Sequence, residues 1–150
     1  MNPDKSDRIT EVLRMKIVQG SLQPGEKLPL RGELVSEFNA SLGTVQRAIN
    51  TLIEDGFLVS KGTYGTLVSE MPPHLCNFGL SVPSSSTAKW DSFWISMSET
   101  AETFDPSGKT KFRIYRGVAS EEGNSDYEKL VYDIGAHCIS GLIILGAGNI

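Results

Sequence analysis

A chain of 150 residues has room for one ordinary domain or two small ones, and 39% hydrophobic with 21% charged residues is a soluble globular composition. The formal charge of −4 supplies no general attraction for nucleic acid, and residues 1–70 carry eight Lys/Arg against nine Asp/Glu. Any DNA contact must therefore come from where charges are placed rather than from their sum.

The opening MNPDKSDRIT is polar and lacks the apolar core of a secretory signal, and the longest apolar run, GLIILGAG, is far short of the roughly 20 residues that span a bilayer. A cytoplasmic protein with no membrane contact is expected. The first predicted helix starts at Ser6 as N-cap, buries Ile9, Val12, Leu13 and Ile17 along one face, and ends at Gly20. SLQPGEKLP is a polar turn centred on Pro24-Gly25. A short helix over 30–38 places Leu34, Val35 and Phe38 inward, and NAS separates it from a third helix capped by Ser41. Two helices joined by three or four residues have helix-turn-helix spacing. Gly56 ends the third helix, after which FLVS, KGTYG and TLVS read as strand, turn and strand.

Within EMPPHL, residues 71–75 read as a linker, because Pro72-Pro73 continues neither a helix nor a central strand. The pattern then changes to strand (FGLSVP), helix (89–104), strand (KFRIYRG), helix (NSDYEKLVYDIGAH) and strand (SGLIILG). That alternation predicts a parallel sheet with crossover helices. The expected fold is thus an α+β winged helix-turn-helix domain over 1–70, then a partial α/β domain of βαβαβ type over 76–150. Cys76 and Cys138 each neighbour a histidine, but without CxxC or HxxxH spacing they read as reduced, buried thiols and not as metal ligands.

The third helix carries the chemistry of interest. At 100° per residue Val45, Ala48, Ile49 and Leu52 form its core stripe, which leaves Gly43, Gln46, Arg47 and Asn50 on the outer face and Ser41 and Thr44 at its N-terminal end. Gln, Arg and Asn make bidentate contacts to purine edges, Ser and Thr bind phosphate, and a glycine permits close approach. On spacing alone, an ordinary solvated helix face is the better reading of this stretch than a DNA-reading one.

The flanking segments decide between them. IVQGSLQPGEKLP, ELVSEF, SLGTVQRAINTLIEDGFL and GTYGTLV together resemble, over about residues 6–69, the winged helix-turn-helix of the GntR family of bacterial transcription regulators. The resemblance implies a recognition helix over 41–51 in the major groove and a wing tip over 61–66. Its implied DNA-contacting residues are Arg31, Ser41, Gly43, Thr44, Gln46, Arg47, Asn50, Lys61, Gly62, Thr63, Tyr64 and Gly65. The sequence also departs from the family pattern. Where a capping serine, an acidic residue and an arginine usually follow one another, it has Leu30, Arg31 and Gly32. Family arginines of the recognition helix are replaced by Leu42 and Gln46, with Arg47 adjacent.

Residues 76–150 resemble the start of the periplasmic-binding-protein-like effector domain of LacI-type regulators. The resemblance implies a small-molecule effector, such as a sugar, bound beyond the carboxyl ends of the strands, with Ser84, Ser85, Trp90, Phe93 and Ser120 as ligand candidates. Trp90 and Phe93 fit helix packing as well as ring stacking. A full effector domain of this kind needs more chain, so a fragment or truncated form is one expectation. The function expected is that of a ligand-responsive, homodimeric regulator, a repressor, on a palindromic double-stranded operator. No cofactor and no enzymatic activity are expected. The competing reading is a small-molecule module or enzyme of flavodoxin-like or Rossmann type. Against it, GAGNI lacks the third glycine of a dinucleotide fingerprint, and no P-loop or nucleophile set is present.

Overall fold

The computed structural model describes residues 4–83, 88–105, 107–118 and 125–145, with the side chains of 88–91 and 125 outside the description. It divides into two compact units, Met1–Pro73 and His74–Ile150.

The first unit begins with α1 (Lys5–Val18), α2 (Arg31–Phe38) and α3 (Leu42–Glu54), followed by β1 (Leu58–Ser60), a 3-10 turn (Gly62–Tyr64) and β2 (Thr66–Val68). Helix α1 starts earlier than its sequence indicated. Asp4 is the N-cap and exchanges hydrogen bonds with Lys5 and Asp7, while Ser6 is buried inside the helix and faces α3. Val12 is corrected as well, because it is 43% exposed. At 3.6 residues per turn the stripe that α1 buries runs through Ser6, Ile9, Thr10, Leu13, Arg14 and Ile17, and position 12 lies well off it.

Helix α2 starts one residue later than expected, at Arg31, and Leu30 serves as N-cap without any side-chain hydrogen bond. Half of a capping box survives, since the Leu30 N–H donates to Glu33 Oε2 at 2.7 Å. Leu34 is fully buried, but Val35 and Phe38 are only half-buried, so α2 commits a narrower stripe than the three apolar residues imply. Asn39, in the left-handed conformation at φ 45°, turns the chain into α3 within three residues.

Helix α3 is the centre of the unit. Val45, Ala48, Ile49 and Leu52 are all buried, along with Ile9 and Leu13 of α1, Leu34 of α2, Phe57, Leu58 and Val68. Beneath this apolar layer Arg14 donates to Asp55 Oδ2 at 2.6 Å and to Glu11 at 3.0 Å, and its guanidinium carbon lies 5.6 Å from the Phe57 ring centroid. β1 and β2 pair antiparallel. Residues 25–28 run along the outside of β2, where Leu28 N–H donates to Thr66 O and Val68 N–H to Glu26 O, a third partner the sequence had read only as turn.

A one-turn helix, α4 (Pro73–Cys76), occupies much of the stretch read as linker, with Pro73 as its first residue, where a missing N–H costs nothing. The second unit alternates β3 (Asn77–Val82), α5 (Ala88–Thr103), β4 (Lys111–Arg116), α6 (Ser125–Gly135) and β5 (Gly141–Ile144). Its sheet is parallel with order β4-β3-β5, so the most continuously buried strand, β3, lies in the middle. The edge strand β5 is less covered than its apolar run implies, with Ile143 and Ile144 exposed. Arg113 and Tyr115, two apart on β4 and therefore on one face, both bond the buried Asp133 of α6, at 2.7 and 2.5 Å. Both cysteines are buried, with Cys76 Sγ donating to Asn77 Oδ1 at 3.5 Å and Cys138 Sγ to Ala136 O at 3.6 Å.

Candidate nucleic-acid interface

The exposed surface of α3 is built from its N-terminus upward. Ser41 Oγ accepts from the Thr44 N–H at 3.1 Å and lies 2.8 Å from the Thr44 hydroxyl, which fixes the first turn and holds two hydroxyls beside the uncapped N–H groups. Gly43 has open space where a Cβ would stand, apart from Ser41 Oγ at 3.9 Å. The backbone of α3 at Gly43 is therefore accessible to a broad partner.

Arg31, Gln46 and Asn50 are connected. Arg31 Nε donates to Gln46 Oε1 at 2.5 Å, and Gln46 Nε2 donates to Asn50 Oδ1 at 2.7 Å. Arg47 lies on the same outer face, next to Asp4 with Nη2 to Oδ2 at 3.6 Å, a solvated pair of the kind that contributes little to stability. Both residues are more than half exposed, so Arg47 can leave Asp4 for another anion at small cost.

In the wing, Lys61, Gly62, Thr63 and Tyr64 are exposed and Gly65 is partly so. The tip ends at Gly65, because Thr66 is buried in β2 and belongs to the hairpin. Gly65 adopts φ +116°, which disfavours side chains, and a Cβ there would meet Lys27 Cε at 2.8 Å. Lys27 reaches over the wing with Nζ 4.9 Å from the Tyr64 ring centroid. The sequence pattern passed over this cation because its partner strand is some forty residues away. The structure thus groups all twelve DNA-contact candidates on α2, α3 and the wing, all at least partly exposed, and adds Lys27.

The effector candidates are not assembled in the same way. Ser84, Ser85 and Ser120 lie outside the described residues, as does the Trp90 side chain. Phe93 is 44% exposed and packs edge-on against Trp94, with centroids 4.8 Å apart. Among the described residues no three His, Cys, Asp or Glu side chains converge as a metal site, and no helix is long and apolar enough to cross a membrane.

Three helices with a short second-to-third connection, a recognition-type helix exposed along one face, and a two-stranded wing define a winged helix-turn-helix. Residues 5–68 match the family of bacterial regulatory proteins, gntR family, and this segment is a GntR-family DNA-binding domain. Among similar proteins, the mannosyl-D-glycerate transport/metabolism system repressor MngR of Escherichia coli (strain K12) is 38% identical over 63 residues, covering 42% of this chain and 26% of that protein. The histidine utilization repressor of Klebsiella aerogenes is 33% identical over 64 residues, covering 43% and 27%. A crystal structure of the AraR DNA-binding domain in complex with operator ORX1 is 35% identical, covering 46% of this chain and 82% of that one, with a TM-score of 0.44. The chain spans about a quarter of the length of the curated relatives it matches.

Proposed function

We propose that this chain is a DNA-binding transcription regulator acting as a repressor, with α3 read into a major groove and the wing against the neighbouring backbone or minor groove. The observation that carries the reading is the family match over residues 5–68 combined with a polar outer face of α3 whose residues all remain at least partly exposed. Several of the similar proteins are named as repressors, which supports that sign of regulation. In this reading Ser41 and Thr44 hold phosphate, Gly43 allows close approach, and Arg47, Lys61 and Lys27 supply placed positive charge in a unit with none to spare. Gly62, Thr63, Tyr64 and Gly65 shape the wing.

The reading extends to a homodimer on a palindromic site, acting in the cytoplasm. The second unit is then the start of a LacI-like effector domain for a small molecule such as a sugar. The parallel β4-β3-β5 sheet with intervening helices supports that assignment. Arg47→Ala tests the DNA half. It is expected to weaken binding to a selected duplex, and either to reduce the salt slope by about 1 or to relax one base position by about 1–3 kcal/mol. Unchanged affinity and salt slope in titrations at several salt concentrations would remove Arg47 from the interface.

A further inference from the structure

Resting on that reading of α3, we propose that Arg31, Gln46 and Asn50 form one base-reading unit whose hydrogen-bond polarity is set by Arg31, so that it selects guanine over adenine. A guanidinium only donates, so the group that accepts from Arg31 Nε must be the Gln46 carbonyl. That fixes the amide: its Nε2 faces Asn50, and the acceptor there must be the Asn50 carbonyl, as observed at 2.7 Å. The polarity therefore propagates from α2 across two side chains of α3.

Both amide oxygens are engaged within the chain of bonds. What the unit offers outward is mostly donors, namely the two terminal nitrogens of Arg31 at one end and the Asn50 NH2 at the other. In a major groove, guanine presents two acceptors, O6 and N7, whereas adenine pairs an acceptor with a donor. A free Asn or Gln would suit adenine, because it can turn both a carbonyl and an NH2 to the base. Here the relay turns the Asn50 carbonyl toward Gln46 and its NH2 outward, which favours the donor face. Gln46 is on this account a positioning residue that sets what its neighbours read. Arg31 and Asn50 have no hydrogen bond to each other among the described residues, so any coupling between the base positions they read must pass through Gln46.

The test is selection of bound duplexes from a randomised pool by the full chain, followed by titration of single-base variants of the winning site. The wild type is expected to prefer guanine by about tenfold or more at a first position, read by Arg31, and at a second, read by Asn50. Asn50→Ala loses the second alone, whereas Arg31→Ala loses the first and, by freeing the Gln46 amide to turn, relaxes the second. Gln46→Leu removes neither donor end, yet it should weaken the preference at the Arg31 position by releasing that side chain and erase it at the Asn50 position by freeing that amide to turn. Gln46→Glu discriminates further. Its carboxylate still accepts from Arg31, so guanine is retained at the first position. It can no longer donate to Asn50, whose amide then turns its NH2 inward and offers a carbonyl, so the preference at the second position moves toward bases that donate. Helical circular dichroism and melting temperature, unchanged in these exposed-site variants, exclude a folding effect. Guanine preference surviving intact at both positions in Gln46→Leu, or adenine selected there by the wild type, would overturn the relay while leaving the DNA-binding role standing. No enrichment of any sequence by the wild type would overturn the role itself and the relay with it.

Discussion

Arg14→Ala is expected to destabilise the first unit by about 3 kcal/mol, because it strands Asp55 in a site that water barely reaches. The two side chains are only 7% and 11% exposed and meet at 2.6 Å, with Glu11 completing the cluster. Removing the cation leaves an uncompensated carboxylate, deprives Phe57 of the guanidinium near its ring, and opens a void under α3. A unit of about seventy residues has little stability in reserve. A 3 kcal/mol loss corresponds to a fall in melting temperature of more than about 10 °C in a domain of this size. Hydrogen exchange at the amides of α1 and α3 reads the loss locally. The double substitution Arg14→Met with Asp55→Leu removes both charges together and should recover most of it. Protection unchanged in Arg14→Ala would show that the pair is not what ties α1 to α3.

The second large effect is expected at Asp133. It is 3% exposed and accepts from both Arg113 and Tyr115, so it ties α6 to β4. Asp133→Ala leaves a fully buried phenol and a mostly buried guanidinium facing each other without their acceptor, at a cost of about 3–4 kcal/mol. Asp133→Asn keeps an acceptor and should cost less. Both tryptophans lie in the second unit, so fluorescence-detected melting follows that unit alone. A melting temperature unchanged in Asp133→Ala would contradict the role given to this cluster. The same cluster gives an alkaline signature. Burial, then the Asp133 hydrogen bond, pushes the Tyr115 phenol well above the usual tyrosine range. The folded state thus keeps this proton after the unfolded state has lost it. The associated stability is complete below the unfolded value of about 10 and declines as pH rises beyond it. Asp133→Ala should soften that decline only in part, since burial remains.

These features mark where sequence reading stops. The stripe Val45, Ala48, Ile49 and Leu52 was legible because helical periodicity is a local property, and so was the Ser41 cap. Arg14 was not, because an arginine in an amphipathic helix reads as solvent-facing until its partner is known, and Asp55 lies 41 residues away. The one available signal was its position, four residues after Thr10 on the same face as Ile17. Asp133 was hidden in the same way by a partner strand in a different element. Val12 was misplaced because one apolar residue beside a stripe is easily counted into it.

The interface shows the same limit. Sequence supplied all the residues on α3, but the bond from Arg31 to Gln46 depends on how α2 crosses α3, which no spacing rule gives. Lys27 was missed because its place beside Gly65 and Tyr64 requires residues 25–28 to lie along β2. The departures from the family pattern at Leu30, Arg31 and Gly32 acquire a physical meaning here. The arginine that stands one place early is the one that reaches the glutamine standing where an arginine is usual.

The central claim is that the outer face of α3 makes this chain a sequence-specific reader of duplex DNA. The most direct measurement is titration of the full chain against its best selected duplex and against a scrambled duplex of equal length, at the same salt concentration. The account predicts binding to the selected site tighter by about a thousandfold or more. Equal affinity for the two duplexes would contradict it.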